Sequence, residues 1–144
     1  LLFSIIKEKF TPVRDKLTTI LSGKVSFREE LHTMFSYLAE MSFREKEFFS
    51  LILSQQIVRF KTMLGEHASE CFAMHDEFRT FFFNRIKKAI HDGELRKIDP
   101  RSIDGIIQGA TEQMMFNQWN CSDLKELQKA VDIFIDILYN GIAR

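Results

Sequence analysis

An all-α fold is what this sequence predicts, and three observations carry the prediction. Apolar residues recur at spacings of three and four along nearly the whole chain, as one face of an amphipathic helix requires. No stretch alternates apolar and polar residues convincingly enough to read as a strand. The only prolines are Pro12 and Pro100, and polar N-cap residues stand before several of the apolar runs. About six helices joined by short loops are expected. They form one bundle-like domain over residues 1–144, with no internal boundary.

The first helix carries Leu2, Ile5, Ile6, Phe10, Val13, Leu17, Ile20 and Leu21 at helical spacing from the outset. With no cap and no initiating methionine before them, these residues are expected to start inside a longer helix. Pro12 lies in its interior and should kink or split it. Ser22-Gly23-Lys24 ends it.

Two identical tetrapeptides follow, Ser26-Phe27-Arg28-Glu29 and Ser42-Phe43-Arg44-Glu45. Each has the form of a capping box, in which the serine accepts from the N3 amide and the glutamate reaches back. Nothing else recurs at that spacing, so they read as two helix starts and not as a repeat. Leu31, Phe35 and Leu38 mark the helix between them. After the second box, Phe48, Phe49, Leu51, Ile52, Leu53, Ile57, Phe60, Met63 and Leu64 make a nearly all-round apolar helix, closed at Gly65. A helix this apolar belongs in the interior. The next runs from about Glu66 to His91, with Phe78, Phe81, Phe82, Phe83, Ile86, Ala89 and Ile90 in its second half and Gly93 as its C-terminal stop.

The last two helices have more apolar surface than one neighbour can cover. Asp99-Pro100 starts the first of them, a carboxylate N-cap followed by proline at N1. At about 100° per residue, Ile103, Ile106, Ile107, Ala110 and Met114 share one face, and Gly105, Gly109 and Phe116 lie nearly opposite. Each glycine gives up about 1 kcal/mol of helix propensity, and the usual return is close approach of another backbone. Ser122 is expected to cap the last helix, where Leu124, Leu127, Val131, Phe134, Leu138 and Ile142 keep helical spacing. Ala130, Ile133 and Ile137 widen that stripe beyond what a one-sided surface helix needs. Such a helix should pack on its own domain and on a second copy of the chain.

Composition narrows the functions. The formal net charge is zero and no basic run exceeds Lys87-Lys88, which leaves little electrostatic drive toward nucleic acid or anionic membrane. Cys71 and Cys121 make no disulfide framework, which points to a reducing, cytoplasmic setting. No apolar run reaches the length of a membrane span, and no signal peptide opens the chain. Fifteen phenylalanines point to a large core or an apolar cavity.

Residues 91–100, His-Asp-Gly-Glu-Leu-Arg-Lys-Ile-Asp-Pro, resemble the G-x-L-R-x-D-x-D-P passage of tetracycline-repressor-like (TetR family) transcriptional regulators. In that family the passage precedes the penultimate helix. Gly109 within Ile106-Ile107-Gln108-Gly109-Ala110, Trp119, and the ending Leu138-Tyr139-Asn140-Gly141-Ile142 fit the same template, and the opening resembles the family's fourth helix. The specific part covers about residues 91–142. The family's N-terminal helix-turn-helix unit has no counterpart in this sequence. The resemblance implies a one-component sensor, a homodimer whose final two helices form a four-helix interface. A small molecule in this domain would shift the fourth helices and so the spacing of two DNA-reading heads. Operator DNA would be met only through that N-terminal unit.

Candidate residues follow from faces and resemblance together. A hydrophobic effector would lie among Phe35, Phe49, Leu53, Phe60, Met63, Phe78 and Phe82, with Met114 and one polar contact from Gln113. The dimer interface would use Gly105, Gly109 and Phe116 with Ala130, Ile133, Phe134 and Ile137. His67, Cys71 and His75 stand four residues apart on one helix, but their span of about 12 Å is too long for three ligands on one ion. No metal or cofactor is expected. No nucleophile stands beside a base or in a glycine-framed elbow, so no enzyme is expected either. A helical dimerisation module without a ligand is the main alternative, and a metal- or haem-binding bundle is a third.

Overall fold

A computed structural model describes residues 2–49 and 65–143. Among them the chain is all-helical, as its spacing predicts, and the only extended pairing is an isolated bridge between Leu95 and Ala143. The helices are α1 (Leu2–Ile20), α2 (Phe27–Arg44), α3 (Ala68–His91), α4 (Pro100–Asn117) and α5 (Leu124–Ile142). Most of the apolar helix expected after Phe48, including Leu53, Phe60 and Met63, lies outside the described residues.

α2 is the middle of the bundle and touches α1, α4 and α5. Its inward residues Phe27, Leu31, Met34, Phe35 and Leu38 step by threes and fours and are all buried. Around them close Leu17 and Leu21 of the first helical segment, Phe82, Ile86 and Ala89 of α3, Ile103, Ile107 and Met114 of α4, and Leu127 and Val131 of α5. α1 leans on both α2 and α3.

The boundaries show which local signals win. Ser26 caps α2, its side chain accepting from the Glu29 amide at 3.2 Å. The second box is not a helix start. Ser42 is buried inside α2, and its hydroxyl donates to the Ala39 carbonyl at 2.7 Å. The helix breaks only at Glu45 (φ −112°, ψ 28°), whose carboxylate is taken by Lys9 of α1. A serine can satisfy itself against the preceding turn as readily as it can cap the following one. Pro12 does not split α1. Pro12 and Glu8, whose carbonyl it leaves without an intrahelical donor, are both exposed.

Asp99 caps α4 as expected, accepting from the Arg101 amide at 2.9 Å, with Pro100 at the first helical position. The cap of α5 falls one residue later than expected. Asp123 accepts from the Glu126 amide at 2.8 Å, while Glu126 takes the Ser122 N–H at 2.7 Å. That is a variant of the capping box, with aspartate in the serine's place and the glutamate reaching the amide one residue before the cap. α3 ends in a Schellman motif at Gly93 (φ +80°), with Gly93 N–H to the Ile90 carbonyl and Glu94 N–H to that of Ala89.

Between α4 and α5 the backbone does something the sequence does not announce. Gln118, Trp119 and Asn120 all have positive φ, at 52°, 53° and 61°. Consecutive left-handed residues that are not glycine carry a steric cost of roughly 1–2 kcal/mol each. Trp119 offsets it by donating its indole N–H to the Ala110 carbonyl at 2.8 Å, with its ring against Phe35 and Phe134. The turn is therefore bolted to both flanking helices.

Candidate functional site

Two regions carry the functional expectations, the interior aromatic faces and the outer faces of α4 and α5. In the interior, Phe35 is fully buried, its ring centroid 4.9 Å from Phe134 and 6.1 Å from Trp119. Phe49 is buried against Phe10 at 5.5 Å. Phe78 is half-buried and stacks on Phe82 at 6.3 Å, and Phe82 is buried against Phe27 at 6.4 Å. Of the three successive phenylalanines, Phe82 is the fully inward one, with Phe81 and Phe83 at the margin. Met114 is buried. These residues are packed side chains, and Phe78 has the most surface left for a ligand. Gln113 departs from its expected role: it is exposed and accepts from the Asn117 side chain at 3.1 Å. It sits about 40° from Gly109 on α4, on the outer face.

That outer face is open. Among the described residues, Ile106 is 54% exposed, Phe116 42%, Ile133 61% and Ile137 68%. Ile106, expected on the inward face with Ile107, lies at the edge of the outer one. A Cβ added at Gly105, Gly109 or Gly141 would meet nothing within 4 Å, so no neighbour within the described chain explains these glycines. On α5 the faces separate. Leu127, Val131, Ile135, Leu138 and Ile142 are core, Ile133 and Ile137 are open, and Ala130 and Phe134 lie at the boundary. Phe134, expected at the dimer interface, is half-buried and also packs on Phe35 and Trp119 of its own domain.

The family-like passage is a junction. Leu95 is buried, Arg96 N–H donates to the Ile142 carbonyl at 2.8 Å, and a Glu94 carboxylate oxygen accepts from the Phe27 amide at 2.9 Å. Beside it lies a charge cluster that sequence reasoning missed. Glu30 is fully buried and accepts from Arg85 Nε at 2.6 Å and from the Gly23 amide at 2.6 Å. Arg85 also stands 3.8 Å from Glu94 and 5.1 Å over the Phe27 ring. The signal was present: Glu30 occupies a core register between Phe27 and Met34, and Arg85 one between Phe82 and Ala89. Among the described residues, the buried side-chain atoms Thr11 Oγ1, Arg85 Nη1 and Asp104 Oδ1 have no hydrogen-bond partner. Asp104 is reached from α3 by Arg79 at 3.0 Å.

Among the described residues, two surface grooves carry polar side chains. One, of about 610 Å³ between α2 and α5, is lined by Arg28, His32, Thr33, Asp132 and Asp136, with His32 Nε2 2.6 Å from Asp132 Oδ1. The other, about 600 Å³, lies between Lys87 and His91 of α3 and the Lys97–Pro100 turn. His67 and His75 stand near Glu66 and Asp76, and among the described residues no three such side chains could hold a metal together. Cys121 is half-buried. Burial first, then the Glu126 and Asp123 carboxylates, push its thiol above the ordinary value, which makes it a poor nucleophile. Among the described residues no helix is long and apolar enough to cross a membrane. No family model matches the chain, and neither the curated proteins nor the solved structures include one similar to it.

Proposed function

We propose that this chain is the effector-sensing and dimerisation domain of a one-component transcriptional regulator of the tetracycline-repressor-like kind. The observation that carries the reading is the uncovered apolar face of α4 and α5, with two glycines that nothing in the described chain requires. Four large apolar residues spread over two helices are more than the single exposed side chains normal on a surface. Glycine on an exposed helix face is explained by a second helix arriving against it. The resemblance of residues 91–142 to the family's last two helices supports reading that second helix as one from another copy.

In this reading a hydrophobic molecule enters among the aromatic faces of α2 and α3 and biases the position of α1. In the same reading, a helix-turn-helix head reads the DNA. The domain performs no chemistry and needs no cofactor.

Two measurements test the proposal. Sedimentation of the purified chain should give a dimer at micromolar concentration. A thermal-shift screen of hydrophobic compounds should find a class that raises the midpoint, by an amount equivalent to about 2.7 kcal/mol at a hundredfold excess over Kd. Phe78→Ala should lose most of that shift. A dimer that no compound stabilises would favour the dimerisation module, and a monomer at high micromolar concentration would end both readings.

A further inference from the structure

We infer that the groove between the end of α3 and the turn before α4 binds a small carboxylate with an apolar body. Among the described residues, its lining includes none of Phe35, Phe49, Phe78 or Phe82. The site is therefore separate from the aromatic faces and stands whether or not they take an effector. Its floor is apolar, made by the half-buried Ile90, Ile98 and Pro100. Lys87 of α3 and Lys97 of the turn line it from its two sides. Its volume, about 600 Å³, is within the range of small-molecule sites.

The charge balance sets the sign of the ligand. Asp99, the carboxylate in the groove, is held by Arg101 at 2.8 Å and also caps α4. Asp92 accepts from Lys88 at 2.6 Å. Among the described residues no carboxylate pairs with Lys87 or Lys97. Lys87, near the end of α3, also suits the negative end of that helix, but Lys97 lies outside any helix and the dipole does not account for it. An apolar floor flanked by two unmatched ammonium groups favours an anion with an apolar tail over a cation. Both lysines are exposed, so each adds a modest preference. The frame is stiff. The Ile98 amide donates to the Arg96 carbonyl at 2.9 Å, closing a three-residue turn with Lys97 at its apex. Pro100 has a fixed φ and the two isoleucines are restricted at χ1, so the floor loses little freedom on binding. A carboxylate bridging the two lysines ties the last turns of α3 to the start of α4.

The probes are 4-phenylbutyrate, 4-phenylbutanol, 4-phenylbutylamine and acetate, titrated into the intact isotope-labelled chain near neutral pH and followed by amide NMR. The acid should bind about five- to tenfold tighter than the alcohol, as two exposed ion pairs allow, and the amine weakest. The shifts should centre on Ile90, His91, Lys97 and Ile98. Acetate, the head group without the body, should stay far from saturation where the acid saturates. Lys97→Gln should lower the preference for acid over alcohol about two- to threefold, and Lys87→Gln with Lys97→Gln should remove it, with alcohol affinity unchanged. Both side chains are exposed, so the fold is not at stake. Lys88→Gln removes one charge from the same helix outside the groove and should leave the preference intact. Acid binding no tighter than alcohol or amine, shifts centred elsewhere, or acetate matching the acid overturns the inference. So does a loss in Lys88→Gln equal to that in Lys97→Gln, or no binding by any probe. None of these outcomes touches dimerisation, which sedimentation tests independently.

Discussion

Glu30 and Arg85 hold four segments in one place: the Gly23 turn after α1, the start of α2, the middle of α3 and, through Glu94, the turn before α4. Both are buried, so their attraction is set against a large desolvation penalty, and the pair as a whole adds little net stability. Removing one partner is different, because the other charge stays buried and unmatched. Arg85→Met should cost about 3–5 kcal/mol in urea unfolding. Glu30→Gln should cost less, since its amide still accepts from Gly23, and the double replacement should cost less than the sum of the two. Simple additivity in that cycle would show that the two side chains do not act as a pair. Phe82 belongs with them as a structural residue. It lies in the core between Phe27 and Phe78, so Phe82→Ala should cost about 3–5 kcal/mol whether or not a ligand binds nearby.

At the scale of elements, the caps hold a testable pH dependence. The Arg101 side chain first, then its amide, hold the Asp99 carboxyl below its ordinary value. A carboxyl depressed in the folded state stabilises the fold above its unfolded value, and that contribution fades as pH falls through the folded one. Asp99→Asn keeps the N-cap acceptor but not the charge. The gap between wild type and variant in urea midpoint should be present at neutral pH and close as pH falls below the ordinary carboxylate range. A gap that stays constant would mean the charge contributes nothing. Helices were legible wherever apolar spacing and caps agreed, as at Ser26 and Asp99-Pro100. They were misread where a short polar residue had two possible uses: Ser42 bonds backward within α2, and Asp123 takes the cap expected of Ser122. The left-handed turn at 118–120 had no sequence signal because no glycine marks it, its stability coming from Trp119. Of the candidate site, the open α4 and α5 stripes were visible as surplus apolar surface. The inward charges Glu30, Arg85 and Asp104 were not recognised, because a lone charge in a core register has meaning only once its partner is placed.

For the whole molecule, the decisive question is whether the face around Gly109 meets water or a second copy, and one position answers with opposite signs. If the chain works alone, Gly109 is an exposed mid-helix glycine, and a Cβ there would touch nothing within 4 Å. Gly109→Ala would then stabilise the fold by about 1 kcal/mol through helix propensity, and Gly109→Leu by a similar amount. If a partner helix lies against it, the same side chains occupy the space the partner needs. The dimer then weakens, and the loss grows from alanine to leucine. The two effects separate by concentration, because dimerisation stabilises in proportion to the logarithm of protomer concentration, whereas helix propensity does not. The wild-type midpoint should rise with concentration. That of Gly109→Leu should be nearly flat and should cross it, higher than wild type in dilute solution and lower in concentrated. Ile137→Asp removes apolar contact from α5 without touching α4 and should flatten the dependence as well, without the gain at low concentration. Melting curves for the three chains over a hundredfold concentration range provide the comparison. Parallel curves with no crossing would mean that the face stays open and that its glycines serve no partner.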